Sequence, residues 1–311
     1  MVAALASLVL LQTTPISVIA MGSCLDEAKD QTKIWNAVLT QKPDAFLFLG
    51  DNIYADEPED KVAAYAKLGA QPGFQRLKRE VPRIWATWDD HDYGVNDAGE
   101  EYANKELAQK QFLDFWGDGP ESPRRKRPGV YDSAIVGPEG QRVQVLLLDT
   151  RTFRSPMNRE RNVDGQYNRY RPTTKGTVLG DAQWAWLEQE LKKPAELRII
   201  ATSIQIVPQD HWFEKWANLP AERQRMFDLI RSTGAKGVVF VSGDRHLAEL
   251  SMTAENAPYP MYDLTASAMT PSSTRWRPLE ETRHRVATMN VGNNFGVLRV
   301  QWGPSPAVTF E

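Results

Sequence analysis

The sequence contains one cysteine, four histidines and no long apolar run. Because Cys24 is alone, no intramolecular disulfide can form, so packing must hold the folded state together. No stretch reaches the roughly 20 apolar residues that a membrane-spanning helix needs. The formal net charge of −3 gives no support for a nucleic-acid or acidic-membrane partner. What remains is a globular chain of 311 residues, long enough to bury a large core.

The first eleven residues are apolar and uncharged. They lack the positively charged start and the clear small-residue cleavage site of a complete signal peptide. We therefore expect residues 1–14 to be a signal-peptide remnant or an N-terminal extension, and residues 15–311 to form a single domain. If these residues are a signal-peptide remnant, we expect a periplasmic or secreted protein. If they are only an N-terminal extension, we expect a cytoplasmic protein.

Six apolar runs end abruptly at polar, mostly acidic residues. Short β-branched and aromatic runs bounded by glycine or turn residues predict buried strands. Ligands of open α/β sheets bind outside the carboxyl ends of the strands, so we expect these polar residues to converge on one site. The runs and their ends are Ile16–Met21 before Gly22–Cys24, Ala45–Leu49 before Gly50–Tyr54, Ile84–Trp88 before Asp89–Asp92, Val143–Leu148 before Asp149–Arg151, Arg198–Ile204 before Gln205, and Gly237–Val241 before Ser242–His246.

Helical patterns alternate with these runs, which predicts layered α/β architecture. Beyond His246 the pattern changes to short strands and turns, and we expect an antiparallel or mixed second sheet there. Residues 154–178 show little periodicity, and so long a loop is uncommon unless it is functional, so we expect it to border the site. The predicted helices are Asp26–Leu39, Glu59–Leu68, Gly73–Arg79, Glu100–Phe115, Asp181–Leu191 with Asp181 as N-cap, and Pro220–Ile230.

Asp51 and Tyr54 follow the second run, three positions apart. A carboxylate at this place can bridge two cations, and a tyrosine binds as phenolate only beside a strongly acidic cation. Taken alone, the pair is more typical of turn chemistry. Asn52 lies between them and is a candidate for holding a ligand or phosphate in place.

Asp89, Asp90 and Asp92 are three carboxylates within four residues, and they repel one another unless water or a cation neutralises them. A charged surface turn is the alternative. Asp244 and His246 lie two positions apart, so on an extended segment both side chains point the same way and can reach one metal. The alternative there is a hairpin that contains a histidine by chance.

Cys24 is by default a small buried hydrophobe, but its place at a strand end favours a metal ligand. Asp149 and Arg151 follow the fourth run: Arg151 is suited to a bidentate phosphate contact, and Asp149 either supports a ligand or forms a structural ion pair. Gln205 and Arg245 are further candidates for supporting or phosphate-binding roles. A rival hypothesis makes Cys24 a covalent nucleophile, but it leaves the carboxylates unexplained.

Taken in order, these motifs resemble the PhoD-like branch of the calcineurin-type metallophosphoesterases. The resemblance extends from about Ile16 to near the C-terminus. It is carried by Gly22–Cys24, Gly50–Tyr54, Trp88–Asp92, Asp149–Arg151 and Ser242–His246, with Leu179–Trp184 and Asn293–Gly296 as further matching stretches.

The resemblance implies a four-layer α/β/β/α sandwich of two mixed sheets that forms a single metallophosphoesterase catalytic domain. It also implies Fe3+ together with Ca2+, with Mn2+ or Zn2+ as alternatives at the second position. Oxygen-rich ligands with few histidines independently favour hard cations. The implied roles are Cys24, Asp51, Tyr54 and Asp244 on iron, Asp51 as bridge, Asp90 and His246 on the second metal, and His91 as general acid.

The expected activity is hydrolysis of a small phosphate ester by a metal-bound hydroxide, with Arg151 as phosphate clamp. The first motif begins near residue 22, so we expect no N-terminal β-domain, and we expect little chain to cover the cleft from the C-terminal side. Monoesterase, diesterase, phospholipase and phosphotriesterase chemistry all remain open. A non-catalytic, cation-stabilised binding protein is the alternative from another functional class.

Overall fold

A computed structural model describes residues 13–161, 168–270, 282–289 and 292–311. It contains two large mixed sheets and a separate two-stranded hairpin. The proposed N-terminal extension lies almost wholly on residues 1–12, outside the described part of the chain. The predicted loop over residues 154–178 is interrupted by residues 162–167, which also lie outside it.

The strands are numbered in chain order. They are β1 Val18–Gly22, β2 Ala45–Leu49, β3 Ile84–Thr87, β4 Asp132–Val136, β5 Val143–Leu147, β6 Asn158–Arg161, β7 Asn168–Arg171, β8 Leu197–Ala201, β9 Val238–Ser242, β10 Ala248–Thr253, β11 Met261–Ala266, β12 Arg285–Met289, β13 Gly296–Gln301 and β14 Ala307–Phe310. The α-helices are α1 Thr32–Thr40, α2 Pro58–Ala70, α3 Pro72–Glu80, α4 Asp90–Tyr93, α5 Lys105–Trp116, α6 Gly180–Leu191 and α7 Pro220–Thr233.

The first sheet has the strand order β14-β13-β1-β2-β3, and the second has β12-β10-β11-β9-β8-β5-β4. In the first, β1, β2 and β3 run parallel. In the second, β5, β8, β9 and β11 run parallel. All six predicted strands therefore run parallel to a neighbouring strand, with β3 at the edge of the first sheet. Their carboxyl ends meet at one edge of each sheet.

Side-chain alternation along the strands produces the layers. In β2, Phe46 and Phe48 face α1 and α3, where they pack with Trp35. The intervening Leu47 faces the other way, into an aliphatic layer between the two sheets that also contains Val145 of β5. The opposite face of the second sheet packs against α6 and α7. The order of layers is thus α/β/β/α, as the resemblance implied.

Three sequence-based predictions are wrong in detail. The short strands beyond His246 do not form a sheet of their own, because β10, β11 and β12 join the second sheet while β13 and β14 extend the first. Asp181 is not the N-cap of α6, since that helix begins at Gly180 and Asp181 lies in its first turn. The predicted first helix begins at Thr32 instead of Asp26, after a turn over residues 26–31.

Within the described ranges, no helix combines the length and the apolar character needed to cross a bilayer.

Candidate metal centre

Two groups of potential metal ligands form at the carboxyl ends of the strands, and Asp51 belongs to both. The first joins Asp51 with Cys24 and His246, and the second joins it with Asp90 and His91. Within each group the ligand atoms lie within 4.8 Å of one another. A carboxylate shared by two such groups has the position that a bridging ligand requires.

The first group is closely packed. The Cys24 Sγ atom lies 3.4 Å from an Asp51 carboxylate oxygen and 3.2 Å from the Ser267 Oγ atom. The Tyr54 hydroxyl lies 3.1 Å from His246 Nε2, which brings a phenol to the same place. Thiol, phenol, carboxylate and imidazole therefore meet in one cluster.

Four of the predicted ligands have left-handed backbone conformations. The φ angles are +55° at Cys24, +47° at Asp51, +68° at Asp244 and +52° at His246. Side chains with a Cβ atom adopt this region rarely, and such strain concentrates where function fixes the conformation. Each of these residues follows a strand end, so the backbone turns there and directs the side chains toward a common centre.

Gly50 illustrates how tight these turns are. Its φ of +104° suits glycine, and an added Cβ atom would lie 2.5 Å from the Cβ atom of Asp89. The absence of a side chain therefore lets the turn after β2 approach the turn after β3. This close approach brings Asp51 beside Asp90 and His91.

The three carboxylates of the Asp89–Asp92 run separate into different surroundings. Asp92 accepts hydrogen bonds from the Asn52 amide groups and the Tyr65 hydroxyl, so it organises the turn instead of facing the cluster. Asp89 accepts from Ser203 at 2.6 Å and from Arg151. Only Asp90 joins the second ligand group.

Arg151 does not have the placement of a phosphate clamp. Its guanidinium is completely buried, with Nε 2.6 Å from Asp89 and Nη1 2.7 Å from Glu214. Arg154 pairs with the same Glu214 at 2.9 Å. Because two buried carboxylates already occupy the guanidinium, Arg151 supports the turn that carries Asp89 and does not offer a free fork to a substrate.

The remaining supporting candidates also serve the scaffold. Asp149 accepts hydrogen bonds from the backbone of Arg151 and Thr152 and so shapes its own turn. Gln205 donates to Thr265 at 2.8 Å, away from the ligand groups. Arg245 is buried against the ring of Phe213, 4.2 Å from its centroid, and its charge acts to lower the pKa of Asp244.

The ligands carry more negative charge than the protein neutralises. Burial, reinforced by repulsion from neighbouring carboxylates, raises the pKa of both Asp51 and Asp244 well above the usual range. Burial likewise raises the pKa of Cys24 to about 11, which disfavours the free thiolate that a cysteine nucleophile would need. A bound cation reverses each of these effects, so the donor set fits metal ions and argues against covalent catalysis by Cys24.

Asp56 contacts a candidate site residue, and the sequence analysis missed it. Its carboxylate lies 2.6 Å from His91 Nδ1. Burial acts to lower the pKa of His91, but Asp90 and Asp56 outweigh burial and raise this pKa to about 9. The only signal for Asp56 in the sequence was its position two residues after Tyr54. Ser267 was missed as well, because it follows an apolar strand in the second half of the chain without an acidic neighbour.

The partition of ligands differs from the one that the resemblance implied. His246 joins the group of Cys24, and His91 joins the group of Asp90. Asp244 belongs to neither group of the described residues, although its charge acts on Cys24. Asp51, the implied bridge, is the residue that the two groups share.

Comparison with known proteins gives three findings. The family model described as PhoD-like phosphatase matches residues 62–294. Alkaline phosphatase D of Bacillus subtilis (strain 168) is 22% identical over 276 residues, covering 75% of this chain and 46% of the relative. The chain therefore spans about half the length of the curated relative that it matches.

Two solved structures are similar in fold. A structure of PhoD superimposes with a TM-score of 0.70 at 17% identity, covering 96% of this chain and 69% of that one. GAP50 from Plasmodium, the anchor in the inner membrane complex, superimposes with a TM-score of 0.55 at 11% identity, covering 96% of this chain and 84% of that one. At these identities the likeness concerns the fold alone.

Proposed function

The chain belongs to the PhoD-like phosphatase family, and from that premise we propose that it is a metal-dependent hydrolase of phosphoric esters. The observation that carries the proposal is the shared position of Asp51 in two ligand groups. Two cations held there, when bound, supply Lewis acidity that ionises water near neutral pH and offsets charge on the phosphoryl oxygens.

The donor types indicate which residues hold which ion. Cys24, Tyr54, Asp51 and His246 form the set with the thiol and the phenol, and such a set suits a strongly acidic trivalent ion, so we assign Fe3+ to it. In the second group Asp51 and Asp90 offer carboxylate oxygens, which favour a hard divalent ion such as Ca2+. Mn2+ and Zn2+ are the alternatives for this second position. Asp244, whose charge acts on Cys24, is the further ligand that we propose for the first set.

His91 has the features of a general acid. It is partly exposed, with 20% of its side chain accessible, and Asp56 fixes the orientation of its ring. A protonated histidine at this position can donate a proton to the departing alkoxide. Arg151, in contrast, acts through Asp89 and orients the turn from which Asp90 and His91 project.

Metal analysis and an ester assay test the proposal together. We expect protein purified without chelators to contain bound metal and to hydrolyse aryl phosphate esters, and both properties to disappear on chelation. Turnover that survives complete metal removal would contradict the scheme. Bound metal without turnover on any mono- or diester would instead support a cation-stabilised binding protein.

His91→Ala separates the two roles that its position allows. If His91 is the acid, the variant keeps both metals and loses turnover most with poor leaving groups, such as alkyl esters. If His91 is a ligand, the variant loses metal from the second position, and turnover falls equally for good and poor leaving groups.

A further inference from the structure

A cleft of about 640 Å³ opens directly beside the ligand groups, and His91 and Tyr54 form part of its lining. The rings of these two residues lie side by side, with centroids 4.5 Å apart. Under the proposed function, His91 protonates the oxygen of the departing alcohol. The alcohol must therefore leave through the cleft that His91 lines, so the walls of this cleft contact the leaving group.

The charges on these walls are predominantly negative. Four carboxylates line the cleft, from Glu27, Asp56, Glu57 and Asp60, against the ammonium group of Lys67 and the protonated ring of His91. Asp56 is engaged by His91, and Glu27 accepts a hydrogen bond from the backbone of Tyr54. Glu57 and Asp60 are exposed residues around the start of α2, so their charges are available to a ligand in the cleft.

A buried cation, Lys61, offsets part of this field, because its charge interacts with Asp56 and Glu57. Lys61 is fully buried and donates to the backbone carbonyls of Ala55 and His91, the latter at 3.1 Å. Its ammonium group therefore lies beneath the turn and supports it. Ala63 and Ala64 add a small apolar patch to the lining.

We propose that the cleft selects phosphate esters whose alcohol carries a positive charge, such as an amino alcohol or a quaternary ammonium alcohol. This inference rests on the proposed function and specifies its substrate class. A cation in the cleft gains Coulomb energy from the carboxylates and contacts the ring face of Tyr54, which favours cations. An anionic alcohol, such as a phosphorylated sugar or a nucleotide, is repelled.

Two esters of nearly identical shape test the charge preference. Phosphocholine and 3,3-dimethylbutyl phosphate differ in that a quaternary nitrogen replaces a quaternary carbon. In water, a carboxylate about 6–8 Å from a bound cation strengthens binding of that cation by about two- to threefold relative to a neutral group of the same shape. With several carboxylates acting together, we expect kcat/KM for phosphocholine to exceed that for the neutral ester by about tenfold at low ionic strength, and the ratio to fall as salt is added.

Variants localise the effect. In Glu57→Gln/Asp60→Asn, the preference for phosphocholine should fall by about fivefold, whereas kcat/KM for 3,3-dimethylbutyl phosphate should change little. Glu59→Gln is the matched control, since Glu59 lies on the same helix and is exposed but does not belong to the lining of the cleft. Its preference ratio should equal that of the wild type.

p-Nitrophenyl phosphate separates this inference from the function on which it rests. If the metal-loaded protein hydrolyses p-nitrophenyl phosphate but shows equal kcat/KM for the matched esters, or if the double variant keeps the wild-type ratio, the charge preference is refuted and the hydrolase function stands. If neither these three monoesters nor the diester bis(p-nitrophenyl) phosphate is hydrolysed, the hydrolase function fails, and the inference fails with it.

Discussion

Arg151→Met measures how strongly the buried ion network supports the site. The Arg151 guanidinium is inaccessible to solvent, and the carboxylates of Asp89 and Glu214 are each 1% exposed. Removing one partner of a buried ion pair costs about 3–5 kcal/mol, because the other charge stays buried and uncompensated. Glu214 retains Arg154 at 2.9 Å, so Asp89 is the group left without its cation. We therefore expect the free energy of unfolding to fall by about 3 kcal/mol, near the lower end of that range.

The assay is urea unfolding followed by tryptophan fluorescence, on metal-loaded and metal-free protein. Arg76→Met is the matched control, because Arg76 forms an exposed ion pair with Glu80 in which the side chains are 45% and 46% accessible. Its loss should not exceed about 1 kcal/mol. If Arg151→Met unfolds like the wild type while KM for a phosphate ester rises at constant kcat, Arg151 contacts substrate and the network argument is wrong.

Three further predictions concern the neighbouring residues. Asp56→Asn should lower kcat for alkyl phosphates by about 10- to 100-fold and kcat for p-nitrophenyl phosphate far less. The reason is that His91 loses the carboxylate that orients its ring and keeps its pKa high. Equal losses for the two kinds of ester would refute the acid role. Metal-free protein should lose stability as pH rises above about 4, since the pKa values of Asp51 and Asp244 are raised in the folded state, which therefore binds more protons than the unfolded chain. Metal-loaded protein should not show this loss. The measurement is the thermal unfolding temperature as a function of pH, and parallel curves for metal-free and metal-loaded protein would contradict the prediction. Gly50→Ala should destabilise the fold by more than 1 kcal/mol and reduce bound metal, as measured by unfolding and elemental analysis, because its φ is positive and its Cβ atom would overlap with Asp89.

The sequence was sufficient to predict the central strands and the residues at their ends. The strand Ala45–Leu49 matches its prediction at both ends, because a buried run bounded by Pro43-Asp44 and Gly50-Asp51 leaves little freedom. The four-layer order was available through the family resemblance. The strand Asp132–Val136 was harder to predict, because it is only partly buried and its pattern is too weak to specify which sheet it joins.

Side-chain partners depend on long-range packing, and here the sequence was less informative. Arg151 and Glu214 are 63 positions apart, and nothing in the local pattern indicates that they meet inside the protein. The same holds for Asp56 and His91, which α2 and the turn after β3 bring together across 35 positions. The sequence therefore identifies which residue types gather at the strand ends, whereas the structure is needed to tell a metal ligand from a group that is already paired.

The metal content of Asp51→Asn tests the central claim most directly. Because Asp51 belongs to both ligand groups, the account predicts that the wild type holds two metal ions per chain and that this single substitution reduces the occupancy of both. Asp228→Asn is the control, since Asp228 is exposed and pairs only with neighbours outside the site. Elemental analysis of both variants beside the wild type should therefore show loss in the first and full content in the second. Undiminished metal in a folded Asp51→Asn would contradict the account.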